Sequence, residues 1–302
     1  MNAQPTRIRL SLGDKVYYAI AYLVIALVLL ATLYPLYFVF IASFSDPHAV
    51  TTGQVFLVPK DISLIAYERI FDYKLIWISY GNSIFYTAFG TLINVSMTIV
   101  AAFVLSRKNL IGGKLFTWII LFTMYFSGGV IPAYLNLRSL KLLNTVWAIV
   151  LPGAISTYNL LVARTFINNS IPYELQEAAM IDGATYIKFL IKIILPLSAP
   201  IIGVLTLYYA VGHWNSYMNA LLYLRDRERY PLQMVLREIL IQNQYTTADV
   251  AATDPEQMIY MEKLREGMKY SLIVVASVPM LVLYPFLQKF FVKGVMLGSV
   301  KG

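Results

Sequence analysis

The sequence has no cysteine, two histidines and few charges. Without cysteine there are no structural disulfides and no thiolate metal sites, and the redox compartment is left open. Metal coordination or general acid and base catalysis would need clustered histidines and carboxylates, whereas His48 and His213 stand far apart in the chain. His213 reads as a hydrated structural histidine. Charged residues make up 13% of the 302 positions and hydrophobic ones 59%, against roughly 25% charged in ordinary soluble domains, which excludes a soluble globular reading. A phosphate loop is also missing. The one Gly-Gly-Lys, Gly112 to Lys114, has Lys108 where the first glycine of G-x-x-x-x-G-K-[ST] belongs and Leu115 where Ser or Thr belongs, so no ATPase is expected in this chain.

What is present is a series of long uncharged runs: 16–45, 75–106, 115–137, 142–163, 193–224 and 270–288. A helix needs roughly 20 apolar residues to cross a hydrocarbon core about 30 Å thick, so each run is long enough for one crossing. These runs predict an all-α membrane protein with six transmembrane helices, near 16–41, 83–105, 115–135, 143–165, 190–212 and 269–290. A β-barrel would show alternating polarity over about ten residues, and "IAYLVIALVLLATLYPLYFVFIA" shows none. The first run is longer than the 7–15 residues typical of a signal-peptide core, which predicts an uncleaved first helix. No Asp or Glu falls inside any predicted span, although proton-coupled carriers usually keep one there.

Arg7, Arg9, Lys15, Arg107, Lys108, Lys114, Lys188, Lys192, Lys289 and Lys293 lie close to span ends on one side, which predicts both termini in the cytoplasm. The net charge of +8 is then a topology signal, since no clustered basic face suggests nucleic acid. The expected organisation is a cytoplasmic N-terminus at 1–15, a transmembrane domain at 16–292 and a cytoplasmic tail at 293–302. Within the domain lie an inner loop at 170–188 and a large outer loop at 213–268, longer than a mere connection needs. Residues 42–82 read as an interfacial element. Gly128-Gly129 with Pro132, and Pro152-Gly153, predict local breaks.

The inner loop contains "ELQEAAMIDGA", residues 174–184, where acids and a glycine interrupt two apolar runs. A proton relay, a solvated turn and a docking element could each own such a patch. Pro172 marks a helix start, and Glu174 and Glu177 fall where acids complement the helix dipole. Leu175, Ala178, Ala179 and Asp182 recur at helical spacing and predict a shallow, small-residue face. Gly183 supplies a left-handed stop, and Thr185 caps a second helix. A helix, a turn and a helix are therefore expected under the membrane. The alanines and the glycine favour docking over a solvated turn.

The run "EAAMIDGATYIKFLIKIILPLSAP", 177–200, resembles the EAA loop of bacterial ABC importer permeases. Glu177, Ala178, Ala179, Gly183, Ile193 and Pro196 match that pattern, and Asp182 with Ala184 gives the "DGA" form found in carbohydrate importers. "WNSYMNALLYLRDRERYPLQMVLREIL" and "YPFLQKFFVKGVMLGSVKG" extend the resemblance to the oligosaccharide and polysaccharide branch, related to the smaller maltose permease subunit, although a longer segment near 243–268 departs from the maltose type.

The resemblance implies a type I ABC importer permease fold in a bacterial cytoplasmic membrane. It implies a second homologous permease, two ABC ATPase subunits carrying ATP and Mg, and an extracytoplasmic solute-binding protein as partners. No cofactor or metal is then bound by this chain. ATPase coupling would fall to Glu177, Ala178, Ala179, Asp182, Gly183, Ala184 and Pro196, with the C-terminal "MLGSVKG" also near the ATPases. Tyrosines stack on sugar faces and asparagines bond hydroxyls, so Tyr125, Tyr158, Asn159, Trp214, Asn215, Tyr217 and Asn219 are nominated for a substrate path. A non-sugar solute, or an ion-coupled carrier working alone, remains open at this level.

Overall fold

The computed structural model describes residues 11–249 and 255–299. Arg7, Arg9 and the last three residues of the C-terminal tail lie outside them. Among the described residues every regular element is helical. In chain order these are α1 (Leu12–Ser43), α2 (Pro47–Thr51), α3 (Ile65–Asp72), α4 (Lys74–Leu105), α5 (Gly113–Tyr125), α6 (Val130–Ser139), α7 (Trp147–Val150) and α8 (Thr157–Ser170). There follow α9 (Tyr173–Ile181), α10 (Tyr186–Phe189), α11 (Leu195–Leu197), α12 (Ala199–Trp214), α13 (Met218–Tyr223), α14 (Leu232–Asp249) and α15 (Pro255–Ser299).

Among the described residues three helices, Leu12–Ser43, Lys74–Leu105 and Lys263–Pro285, are long and apolar enough to cross a membrane. Two bent pairs raise the number to five if each pair is one span: Gly113–Tyr125 with Val130–Ser139, bent by 115°, and Tyr186–Leu197 with Ala199–Trp214, bent by 80°. The first bend falls at Gly128-Gly129, where Gly129 has φ 84°. The second surrounds Pro196 and Pro200; Pro196 has no N–H to give the ladder, and the residues before it, Leu190–Ile194, adopt a π-helical turn. The run expected as a fourth span, 143–165, is not one helix. After α7 the chain turns through Pro152 and Gly153, at φ 74°, and restarts at Ser156, whose side chain accepts from the Asn159 N–H. Helix α8 has 14 residues, about 21 Å at the usual rise, short of a hydrocarbon core about 30 Å thick.

The chain divides into two compact units: residues up to Ile70 with 247–274, and Phe71–Thr246 with Val275 onward. In the first, α1 opens with a reciprocal cap in which Ser11 Oγ accepts from Asp14 N–H and Asp14 Oδ2 accepts from Ser11 N–H. Its apolar side chains stay exposed along most of the helix, and Ile41, Ala42 and Ser43 alone are buried, which suits a helix surrounded by lipid. Ile41, Ala42, Ala49, Val50 and Val55 form a small core. Around it the Tyr67 hydroxyl donates to Ser43 Oγ at 2.8 Å, and Lys263 pairs with Asp46 at 3.6 Å. Partial burial raises the Tyr67 pKa above the ordinary tyrosine value.

In the second unit α4 packs against α12 and α8. Its buried face runs Ser79, Ser83, Tyr86, Gly90, Asn94, Thr98 and Ala102, steps of three and four that keep one side of the helix inward. Within a membrane, small and polar residues suit such a seam because they permit close approach and interhelical hydrogen bonds. Asn94 Nδ2 lies 3.0 Å from His213 Nε2, and Thr98 Oγ1 lies 2.7 Å from the Tyr209 hydroxyl, which also accepts from the Ser156 N–H. His213 is thus a structural residue, but it is half-buried between helices where the sequence suggested hydration. Nearby, Asn144 at φ 59° binds the Tyr223–Arg229 segment: its side chain donates to Asp226 and accepts from the Arg225 and Asp226 N–H groups.

A Cβ added at Gly90 would lie 2.4 Å from His213 Nε2. Gly90→Ala is expected to destabilise by about 1–3 kcal/mol through overpacking. His213→Ala in the same chain should recover part of that loss. Thermal unfolding of the purified variants in detergent checks both, and an unchanged midpoint for Gly90→Ala would remove the close-approach explanation.

Candidate functional site

Helix α9 begins after Pro172, whose extended ψ of 141° releases the chain from α8, and Glu174 stands in its first turn. It ends in a closed turn made by backbone groups. Asp182 is the cap, Gly183 takes φ +73°, the Gly183 N–H donates to Met180 O at 3.0 Å and the Ala184 N–H donates to Ala179 O at 2.9 Å. This pair of bonds is a Schellman motif, and its left-handed position is why glycine stands there. Thr185 Oγ1 then accepts from the Lys188 N–H at 3.3 Å and starts α10. The helix, turn and helix expected from the residues are present.

One side of α9 is held by the end of α4. Gln176 is buried, and its side-chain oxygen accepts from Arg107 Nη1. The guanidinium is fixed in turn: Nη2 donates to Ser106 Oγ at 2.7 Å, Nε donates to Phe103 O at 3.1 Å, and the Arg107 Cζ lies 4.4 Å from the centre of the Phe103 ring. Burial pulls the Arg107 pKa below the usual arginine value, with Tyr173 and Tyr186 opposing. Beside it Lys108 Nζ sits 4.3 Å over the Tyr173 ring, and Arg164 Nε donates to Leu105 O at 2.9 Å. Ala179 is buried in a core that includes Phe103, Ile167, Ile171 and Phe189.

The opposite side of α9 is open. Glu174, Glu177, Ala178, Ile181 and Asp182 are exposed at spacings of three, four, seven and eight, one face of a helix. Ile181 is 85% exposed, so the face carries three acids and an apolar centre, and Ile187 on α10 is 70% exposed. The large aliphatic side chains of Ile181 and Ile187 therefore stand open beside a well-held helix.

The sequence profile of a family described as "binding-protein-dependent transport system inner membrane component" matches residues 76–297. The chain belongs to this family. It is 41% identical over 273 residues, covering 89% of this chain and 92% of the relative, to the polygalacturonan/rhamnogalacturonan transport system permease protein YtcP of Bacillus subtilis (strain 168). It is 40% identical over 271 residues, 90% of each chain, to the protein LplC of the same strain. A crystal structure of a bacterial ABC transporter involved in the import of the acidic polysaccharide alginate contains a chain that matches with TM-score 0.81 and 33% identity, over 94% of this chain and all of that one.

In this permease the residues matched to the EAA pattern do not share one face. Glu177, Ala178, Asp182 and Gly183 are exposed, Ala184 is half-buried, and Ala179 turns inward. The expected small-residue face is therefore divided: Ala178 looks out, while Ala179 lets α9 approach its own core. Pro196 lies apart from the open face, in the bend between α11 and α12. Sequence reasoning missed Arg107, Gln176, Ile181 and Ile187, of which the last two carried a usable signal as aliphatic residues flanking an acidic turn.

The residues nominated for a substrate path differ in their surroundings. Tyr125 and Tyr158 are exposed on α5 and α8. Asn159 and Trp214 are buried, and the Trp214 indole N–H donates to Ala276 O at 3.0 Å, a structural role. Asn215 Nδ2 donates back to Val211 O, Tyr217 lies under the Arg237 guanidinium at 5.3 Å, and Asn219 is half-buried. Trp214 lines an apolar cavity of about 550 Å³ together with Thr87 and Thr91, whose hydroxyls are buried without a hydrogen-bond partner.

Arg107→Ala would leave the buried Gln176 amide unpaired at a cost of about 1–3 kcal/mol. The variant is expected to expose residues 172–188 to limited proteolysis faster than the parent. Gln176→Leu added to it should restore part of the protection, and equal cleavage in all three chains would show that this contact does not hold α9.

Proposed function

We propose that this permease is the membrane subunit of an ATP-driven importer for an acidic oligosaccharide or polysaccharide, and that α9 with its turn is where the ATPase acts on it. Import of a carbohydrate is the function carried by its relatives, and two of the similar proteins act on polyuronates: one is named for polygalacturonan, the other imports alginate. The observation that carries the coupling role is the division of α9 into a side locked by Arg107 and Gln176 and a side where Glu177, Ile181 and Asp182 stand clear.

The chemistry follows from that division. A helix that transmits force must be stiffly attached on one side and able to bind on the other. Here α9 docks in a cleft of one ATPase subunit, Glu177 meets basic groups there, Ile181 fills an apolar depression, and closure of the ATPase pair on ATP rocks the permease between inward and outward states. The free energy comes from the partner, so the coupling is as large as the difference in affinity between the two states. A second homologous permease completes the path, two ATPase subunits carry ATP and Mg, and an extracytoplasmic binding protein delivers the saccharide. In this reading the chain crosses the membrane six times, with the two bent pairs and the broken α7–α8 run each counted as one crossing, both termini and the 170–188 loop face the cytoplasm, and the 213–268 segment faces outward.

Glu177→Lys and Gly183→Pro are expected to leave the permease in the membrane and lower substrate uptake by about 5- to 150-fold, the usual range of a coupling free energy. Uptake of a labelled galacturonate oligomer by cells carrying each variant checks this, beside a neutral oligosaccharide of equal length. Normal uptake in both variants would end the docking role. Uptake confined to the neutral sugar would end the acidic-substrate reading.

A further inference from the structure

Beside the held face of α9 an open groove of about 1050 Å³ runs between the end of α4, the start of α5 and the end of α8. Arg107, Lys108, Lys114 and Arg164 line it, and Glu174 is the single carboxylate among its lining residues. Among the described residues no ion pair joins any of these four cations to a carboxylate. Two of the four are committed to neutral partners: Arg107 to Gln176 and Arg164 to the Leu105 carbonyl. Four positive charges gathered around one cavity repel one another, and a bound anion relieves that repulsion. The N-terminus of α5 opens into the same place through Gly112 and Gly113, without a side-chain cap, and adds the positive end of a helix.

Helix α5 buries none of its residues. Leu115, a lining residue, begins an exposed apolar row through Trp118, Phe122 and Tyr125, at 63%, 70%, 58% and 77% exposure. The farther part of that row borders a shallow apolar trough of about 700 Å³. A cationic pocket that opens onto an apolar helix face fits an amphiphile with an anionic head. A soluble anion would use the cations and ignore the row.

We infer that this groove binds the phosphate headgroup of an anionic phospholipid of the cytoplasmic leaflet, with an acyl chain lying along α5. The inference rests on the reading that places α9 on the cytoplasmic side. Basic pockets between membrane helices on that side are suited to anionic headgroups. The lipid phosphate supplies the counter-charge that the four cations lack, and through Arg107, which holds Gln176, it reaches α9.

The test uses the transporter purified with its partners in mild detergent, titrated with phosphatidylglycerol or phosphatidylcholine and read by native mass spectrometry. Lys108 and Lys114 are both exposed, so Lys108→Gln with Lys114→Gln removes two charges without touching the core. Lys74→Gln with Arg138→Gln, exposed and distant in sequence, is the charge-matched control. The expected result is one phosphatidylglycerol retained per chain, weak phosphatidylcholine retention, and an apparent affinity lowered about 20- to 30-fold in the first variant, at about 1 kcal/mol per lysine. The control should behave as the parent. Equal retention of both lipids, equal loss in the control, or undiminished phosphatidylglycerol binding after removal of the two lysines would each overturn the assignment. So would stoichiometric displacement of the lipid by a galacturonate oligomer, which would mark a site for soluble anions. Failure of the importer reading registers separately, as an ATPase that never co-purifies, and leaves the lipid count readable.

Discussion

The second unit depends on the packing of α4, whose 32 residues span about 48 Å. Its middle is joined to α12 through Gly90, Asn94 and Thr98, where a missing side chain and two polar contacts bring helices together that lipid gives no hydrophobic reason to associate. Its first third holds the segment before α14: Asn82 Nδ2 donates to the Glu228 and Tyr230 carbonyls, the Tyr86 hydroxyl donates to the Arg229 carbonyl, and Ser83 Oγ accepts from the Leu232 N–H. Its last residues, through Arg107, hold α9. One helix therefore ties the 228–232 segment at one end to α9 at the other. The connection between these two places is a single covalent rod.

The parts of this arrangement that were legible in the sequence are those set by local chemistry. Pro172, Gly183 and Thr185 announced a helix, a turn and a second helix because start, stop and cap are each decided by a few neighbouring residues. Gly128-Gly129 and Pro152-Gly153 announced breaks for the same reason. Composition revealed long apolar runs, yet it measures length without conformation, and so 143–165 read as a span although a turn divides it into α7 and the shorter α8.

What stayed hidden were pairings across distance. Arg107 and Gln176 stand 69 positions apart, Asn94 and His213 stand 119 apart, and Asn144 reaches Asp226 across 82. No periodicity records such partners. Ala178 and Ala179 show a subtler limit. They differ by one step of about 100° around the helix, and alanine is too weakly hydrophobic to signal which of two adjacent positions is inside. Only the packing of α9 against Ile171 and Phe189 settles that Ala179 is the inward one.

The turn that ends α9 is closed by main-chain groups alone. Its geometry asks for glycine at 183 and makes no demand on the side chains of Glu177, Ile181 or Asp182, all of which point away from the core. The fold and the chemistry of the exposed face are thereby written in separate residues. A lineage can rewrite the outward side chains while the scaffold beneath stays the same. Gene duplication of such a permease starts with that exposed face already free to diverge.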